Sequence, residues 1–479
     1  MASDISFSGI ATGIDTASLI SQLMYLERAP ERILETKKKT IQGQIDTYNQ
    51  LTGFLNTFKG LAAGMNTPTT FMGKTTSVGD STVLSATSVS SAAPGTHTIE
   101  VTSLAKMQRQ VSQGYASNTS LVFSTGSFQI TDDAGGTPIT VNIAEGQNSL
   151  DGIASAINGS GANVSASVIN DGSGTPYRLV IAGKDTKNYT FDFAGLTTDP
   201  AGGTGPLKPT LLGVGDPSYQ AGSPSVIKVD GIPITKTSNT ISDVIPGVTL
   251  TLLKDGGATT SVTVGNDVTG VTKKINDLVA SYNSAMSLVN RQSEYNAATK
   301  KAGSLSGDST LRVVKSQLQS VISTPVSGLT GQYTTLASIG ITSSQKDGTL
   351  TVNGTKLQEA LSNNFDNVVK LFTQNTGVTG LSTEKYGVAE QFNKVVEKLT
   401  HFYEGPTSTA NGIISSRVRG LTDTIGDIDD QIEAMEVRME QREKALKKQF
   451  TSLETLVSGL QTQGNSLLTY LSRNQMSYY

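Results

Sequence analysis

The chain has 479 residues, enough for about three domains at roughly 150 residues each, and a formal net charge of −3. It has no basic excess, and its one cationic run, Lys37–Lys39, reads as a solvated helix face, so nucleic-acid binding is excluded. With no cysteine and only two histidines, His97 and His401, it has no disulfide, no thiolate nucleophile and no Cys-ligated zinc. Gly (49 residues) is abundant and charged residues make up only 16%, which suits a strand-rich assembly protein better than an enzyme.

The first periodic stretch is "FSGIATGIDTASLISQLMYLERAP", Phe7 to Pro30. Its first basic residue, Arg28, follows the apolar part, and Ser21 and Gln22 interrupt the run, so it is not a cleavable secretory signal. No window approaches the roughly 20 apolar residues of a membrane helix. Asp15 is a plausible N-cap, and Leu19, Leu23 and Leu26 follow at helical spacing up to Pro30, where the helix must kink or restart. A second helical run carries Ile41, Ile45, Tyr48, Leu51, Leu55, Phe58, Leu61 and Met65. These ends look like half of a helical interface whose other half lies elsewhere in the chain.

From about Val78 the apolar period falls to two, the signature of strands. "GTHTIEVTSL" and "FQITDDAGGTPITVNI" read as antiparallel strands, and Asp230-Gly231 and Asp255-Gly256 carry the two-residue hairpin signal. "SLDGIASAIN" reads as a short amphipathic helix with Leu150, Ile153 and Ile157 on one side. Residues 194–222, rich in Gly and Pro, read as loop.

Helical period returns at Val271, Ile275, Leu278, Tyr282, Met286 and Val289, then at Leu311, Val314, Leu318 and Val321. A small hairpin follows at "IGITSSQKDGTLTV", and a further helix carries Val388, Phe392, Val395, Leu399 and Phe402. The last segment is the most regular. Ile414, Val418, Leu421, Ile425, Ile428, Ile432, Met435 and Met439 keep the four–three alternation of a coiled-coil seam. The repeat stutters around Arg442 and Leu446, then resumes through Phe450, Leu453, Val457 and Leu460.

The expected class is therefore α+β and multidomain: terminal helices pair as a coiled coil or helical-bundle leg, with antiparallel β-rich head domains inserted between them. Closing so long a loop is affordable. Loop entropy rises by about 0.6 kcal/mol per doubling, so going from about 20 to about 350 intervening residues costs about 2.4 kcal/mol. One or two buried leucines, at roughly 1.5–3 kcal/mol each, offset it.

Catalytic and metal patterns are missing: there is no H-E-x-x-H, G-x-S-x-G, Walker loop or EF-hand spacing. His97 and His401 read as structural or surface residues, "TDDAGGTP" with Asp132 and Asp133 as a turn rather than a calcium site, and "GGTG" at Gly202 as no phosphate cradle. The Asn118 and Asn353 glycosylation patterns are too short to carry weight.

"GIATGIDTASLISQLMYLERAP" resembles the N-terminal signature of the bacterial flagellar filament cap family (FliD, flagellar hook-associated protein 2), with Gly13, Ile14, Asp15, Leu19, Leu23, Met24, Glu27 and Pro30 at the motif positions. "GTHTIEVTSLAKMQ", "SLDGIASAIN", "VDGIPITKTSNTISDVIPGVTLTLL", "LASIGITSSQKDGTLTVNGTKLQEAL" and "KQFTSLETLVSGLQTQGNSLL" resemble further family segments in the same order. The resemblance does not extend to residues 187–221 or to the tail "SRNQMSYY".

It implies a non-enzymatic protein without cofactor, exported by the flagellar type III apparatus and placed outside the cell at the filament tip. There it forms a homo-oligomeric ring, usually described as pentameric, that retains flagellin and promotes its folding and polymerisation. Other implied partners are the hook–filament junction protein and an export chaperone; neither nucleic acid nor membrane insertion is involved. The implied domains are 1–42 with 430–479 (terminal coiled coil), 43–76 with 269–429 (helical leg), 77–107 with 222–268 (inner head) and 108–221 (outer head). Two alternatives are another axial or junction protein, distinguishable by microscopy of filament tips, and a surface adhesin, which would bind host ligand without a flagellar phenotype.

Overall fold

A computed structural model of the chain describes residues 13, 15–198, 208–296, 300–375, 385–402 and 411–475. They fall into two compact units, Met1–Phe71 with Val271–Tyr479, and Met72–Gly270. The chain enters through α1 (Thr16–Glu27), α2 (Ala29–Ala63) and the single turn α3 (Pro68–Phe71). The Asp15 carboxylate caps α1 by accepting the Ser18 N–H at 3.0 Å. Pro30 stands in the first turn of α2, where its missing N–H has no intrahelical partner to lose, so the helix restarts there as the sequence requires.

The unit Met72–Gly270 holds two cores. In the first, five antiparallel strands lie in the order Lys74–Val78, Ala258–Asn266, Gly95–Ser103, Ser225–Val229 and Ile232–Lys236. A three-stranded sheet, ordered Thr240–Ile245, Val248–Leu252 and Leu84–Ser88, completes it. The alternating pattern puts Ile99, Val101, Ile227 and Val262 inward with Leu84 and Leu250. At Asp230-Gly231 the expected two-residue hairpin forms: Val229 pairs with Ile232, and both turn residues take positive φ, 51° and 85°. Asp255-Gly256 does something else. Its flanking strands belong to different sheets, so this turn is a corner between sheets and not a hairpin.

The second core lies under α4 (Leu150–Gly159), whose Leu150, Ile153 and Ile157 are all buried. Its strands are Thr125–Asp132, Ile139–Ile143, Tyr189–Asp192 and Leu196–Thr198 in one sheet, and Arg109–Val111, Tyr177–Gly183 and Val164–Asn170 in the other. Asp132 closes the turn that the sequence marked. Its carboxylate accepts from Ala134 N–H and Gly136 N–H and pairs with Lys187, and these bonds hold its pKa below the usual carboxylate value. Among the described residues no group of three or more acidic, histidine or cysteine side chains is placed to hold a metal.

The helical unit resumes with α5 (Val268–Ser293), α6 (Ser309–Ser323), α7 (Gly354–Thr373), α8 (Val388–Thr400) and α9 (Ile413–Gln475). The hairpin of Ile341–Ser343 with Leu350–Val352 sits among them as expected. α2 packs along α8 and α9, and its Phe58 meets Phe392 of α8 and Tyr282 of α5 edge-on, at centroid distances of 4.9 and 5.8 Å. At 1.5 Å per residue, the 63-residue α9 is roughly 95 Å long.

One device recurs. The side-chain amide of Asn239 both donates to the Ala105 carbonyl and accepts its N–H, standing in for a neighbouring strand. Gln108 does the same for Tyr189, Asn158 for Ala166, Asn188 for Gly222, and Asn283 for Leu350. Each satisfies two buried or half-buried backbone groups at a strand end or edge, which would otherwise be left without a partner.

Since Met72–Gly270 contains both of its own cores, this segment expressed alone should fold and give a β-type circular dichroism spectrum with a minor helical contribution from α4. A predominantly helical or coil spectrum would contradict the division.

Candidate interaction surface of the terminal helices

Several of the family-like motif residues have a local structural task. Gly13 has φ of +71°, a left-handed conformation that side-chain-bearing residues rarely adopt. Ile14 lies outside the described residues. Asp15 caps α1, Pro30 restarts the chain in α2, and the Arg32 guanidinium stacks over the Tyr25 ring at 4.0 Å and donates to the Tyr25 carbonyl, bracing the break.

α1 and α2 run antiparallel to α9, as three polar rungs show. Thr16 Oγ1 donates to Glu454 Oε1 at 3.2 Å, Glu27 pairs with Arg442 at 3.1 Å, and Lys38 pairs with Asp429. On α1, Thr16, Ile20 and Met24 are buried; Ile20 and Met24 pack on Leu446, flanked by Met439 and Phe450. The buried and half-buried positions of α9 include all eight predicted seam residues: Ile414, Val418, Leu421, Ile425, Ile428, Ile432, Met435 and Met439. Beyond Met439 they step through Glu443, Leu446, Phe450, Glu454 and Val457, a four–four–three rhythm. Thr16, Ile20, Met24 and Glu27 keep the same rhythm on α1. At about 3.67 residues per turn this repeat stays close to the straight helix, so the two segments meet without a left-handed supercoil. The register change therefore falls between Met439 and Glu443. Arg442 stands beside the seam and reaches back to Glu27.

Leu19, Leu23 and Leu26 are not brought into this contact. They form a separate stripe on α1, 39%, 40% and 67% exposed. Leu453 and Leu460, predicted on the seam, are also exposed, as are Leu456, Leu467, Leu468 and Leu471 farther along α9. The terminal helices thus carry two apolar faces: one occupied within the chain, and one with no partner among the described residues. The residues that sequence reasoning missed are Ile20 and Met24, which lie one helical position on from Leu19 and Leu23. Their own four-residue spacing was the available signal.

The base of α9 is fixed by Asp308, which caps α6 by accepting Thr310 N–H at 2.8 Å and pairs with Arg417 at 3.1 Å. Burial alone would raise the Asp308 pKa. The Thr310 N–H and the Arg417 charge outweigh it and hold the carboxyl below the usual value. The histidines are peripheral: His97 pairs with Asp230 at 2.7 Å and His401 with Glu397 at 2.9 Å.

Residues 12–108 match the family model described as flagellar hook-associated protein 2 N-terminus, 222–462 match flagellar hook-associated protein 2 C-terminus, and 127–185 match the flagellin hook IN motif. The last range falls on the strands and helix of the second core. The chain is 29% identical to flagellar hook-associated protein 2 of Escherichia coli K12, covering 98% of this chain and 97% of that one. It is likewise 29% identical to the A-type protein of Pseudomonas aeruginosa, over 97% of both. The crystal structure of the flagellar cap protein FliD D1-D2-D3 domains from Escherichia coli superposes with a TM-score of 0.56 at 28% identity, covering 78% of this chain and 99% of that one.

Because the apolar contact holds α1 more strongly than the exposed ion pairs do, Met24→Ala should cost about 2 kcal/mol locally, and Glu27→Gln less than about 1 kcal/mol. Hydrogen exchange of α1 amides should accelerate roughly 30-fold in the first variant and less than about 5-fold in the second. Asp308 contributes stability that is present above the usual carboxylate pKa and lost as pH falls through its depressed one. Asp308→Asn should therefore lower stability at neutral pH and flatten the acid limb of a pH–stability curve measured by urea unfolding.

Proposed function

This chain belongs to the flagellar hook-associated protein 2 family of filament cap proteins, and from that premise we propose that copies of it assemble into a ring at the distal end of the flagellar filament. The ring retains exported flagellin and promotes its folding into the next vacant site. The protein reaches that position through the flagellar export apparatus, accompanied beforehand by an export chaperone, and meets the hook–filament junction protein when the filament begins. The four-part division expected from the sequence belongs to the same reading: the two β cores supply the inner and outer head, the α2–α8 bundle the leg, and α1 with distal α9 the attachment.

The observation that carries the proposal is the unoccupied apolar stripe on the terminal helices, Leu19, Leu23 and Leu26 with Leu453, Leu456, Leu460, Leu467 and Leu471. Leucines at helical spacing on paired helices need other helices to cover them, and a ring seated on a filament of helical termini provides them. Nothing in the described side chains calls for bond chemistry. No described helix is long and apolar enough to cross a membrane.

A strain lacking the protein should release monomeric flagellin into the medium and grow short or no filaments, and the wild-type gene should restore them. Release unchanged from the parent strain would overturn the proposal. In the same assay Leu23→Glu or Leu453→Glu should fail to restore growth although the purified variants keep the wild-type β signal. Full restoration would show that these leucines are not the attachment.

A further inference from the structure

Amide side chains satisfy several strand ends in the β-rich unit, yet one groove there has two edges without a partner among the described residues. It has a volume of about 490 Å³, inside the roughly 300–1,000 Å³ range of specific ligand sites. One wall is the strand Tyr189–Asp192. Tyr189 turns its N–H and C=O away from Asp132, its neighbour in the sheet, and the Gln108 side chain satisfies both. In an antiparallel ladder the outward-facing residues alternate. Phe191 is therefore the next outward one, and its N–H and C=O have no partner among the described residues. The other wall is Thr210–Leu212. Gln113 N–H donates to Thr210 O and Leu212 N–H to Val111 O, so Leu211, opposite Ser112, also turns its N–H and C=O away from the sheet it borders. They too lack a partner among the described residues. Phe191, Leu211, Val214 and Tyr219 line the groove together with Asn188 and Thr190, so its surface is mixed and more polar than apolar, and Lys208 places a cation at it.

We infer that this groove takes a short extended polypeptide segment as an added β-strand, held by backbone hydrogen bonds to Phe191 on one side and Leu211 on the other. The inference rests on the proposed function, under which the segment comes from unfolded exported flagellin. An unfolded chain carries the free backbone donors and acceptors that the two edges need, whereas a folded domain has already paired its own. Recognition through main-chain groups tolerates many side-chain sequences. Such a site holds an emerging chain before its own strands form and releases it once they do.

The test uses the full-length chain and unfolded flagellin monomer from the same bacterium, with amide hydrogen exchange read at Phe191 and Leu211. In the free protein both amides should exchange at nearly unprotected rates, and flagellin should slow both at least tenfold. Phe191→Pro removes the outward N–H without costing a ladder bond, as edge positions allow, and should lower affinity for unfolded flagellin at least tenfold. Phe191→Ala, which keeps the N–H, should lower it no more than about threefold. Slow exchange at both amides in the free chain would overturn the inference, because the groove would already be filled from within. Flagellin bound with neither amide slowed would overturn it while leaving the capping function intact. No association of flagellin with the wild-type chain would overturn both.

Discussion

The helical unit depends on one constraint: α1 and α2 bury their inward faces only against helices from the far end of the chain. Tyr48, Leu51, Leu55 and Phe58 are fully buried, and the elements they meet are α5, α8 and α9 rather than anything adjacent in sequence. The β-rich segment is an insertion in a helical unit whose two halves find each other across it. Loop-closure entropy permits this because it grows only logarithmically with loop length, while each buried aromatic or leucine contributes in full. The pairing is graded. Around Phe58 the contacts are aromatic and dense, whereas around α1 they thin to Ile20, Met24 and Leu446 with exposed polar rungs. α1 thus sits at the low-stability end of the helical unit.

Much of this was legible in the sequence, for identifiable reasons. The change of apolar period from helix to strand and back marked the β-rich insertion, and Pro30 and Asp15 marked the restart and the cap. The seam from Ile414 to Met439 was visible because isoleucine and methionine recur there against a charged background. What periodicity could not decide was which of two adjacent stripes on α1 faces inward. Leu19, Leu23 and Leu26 are the more hydrophobic set, yet Ile20 and Met24 match the four–four–three rhythm of distal α9 and take the intrachain contact. Likewise Asp255-Gly256 carries the same local signal as Asp230-Gly231, but strand pairing sends its flanks into different sheets. Hairpin chemistry is local; sheet membership is not.

The amide clamps were illegible for the same reason. Asn239 and Ala105 are far apart in sequence, and nothing about either residue announces that one completes the backbone bonding of the other. At five backbone positions, all buried or half-buried, a side-chain amide supplies the hydrogen bonds that a neighbouring strand would otherwise make.

The absence of cysteine makes the central claim, that the two ends of the chain pair antiparallel within one molecule, open to a direct measurement. Replacing Glu27 and Arg442 by cysteine and treating the dilute monomer with a short bismaleimide should join residues 27 and 442 of the same chain, giving a faster-migrating monomer band on denaturing gels at a yield independent of protein concentration. A cross-link that forms only between chains, or none at all in protein whose helical signal is intact, would contradict the account.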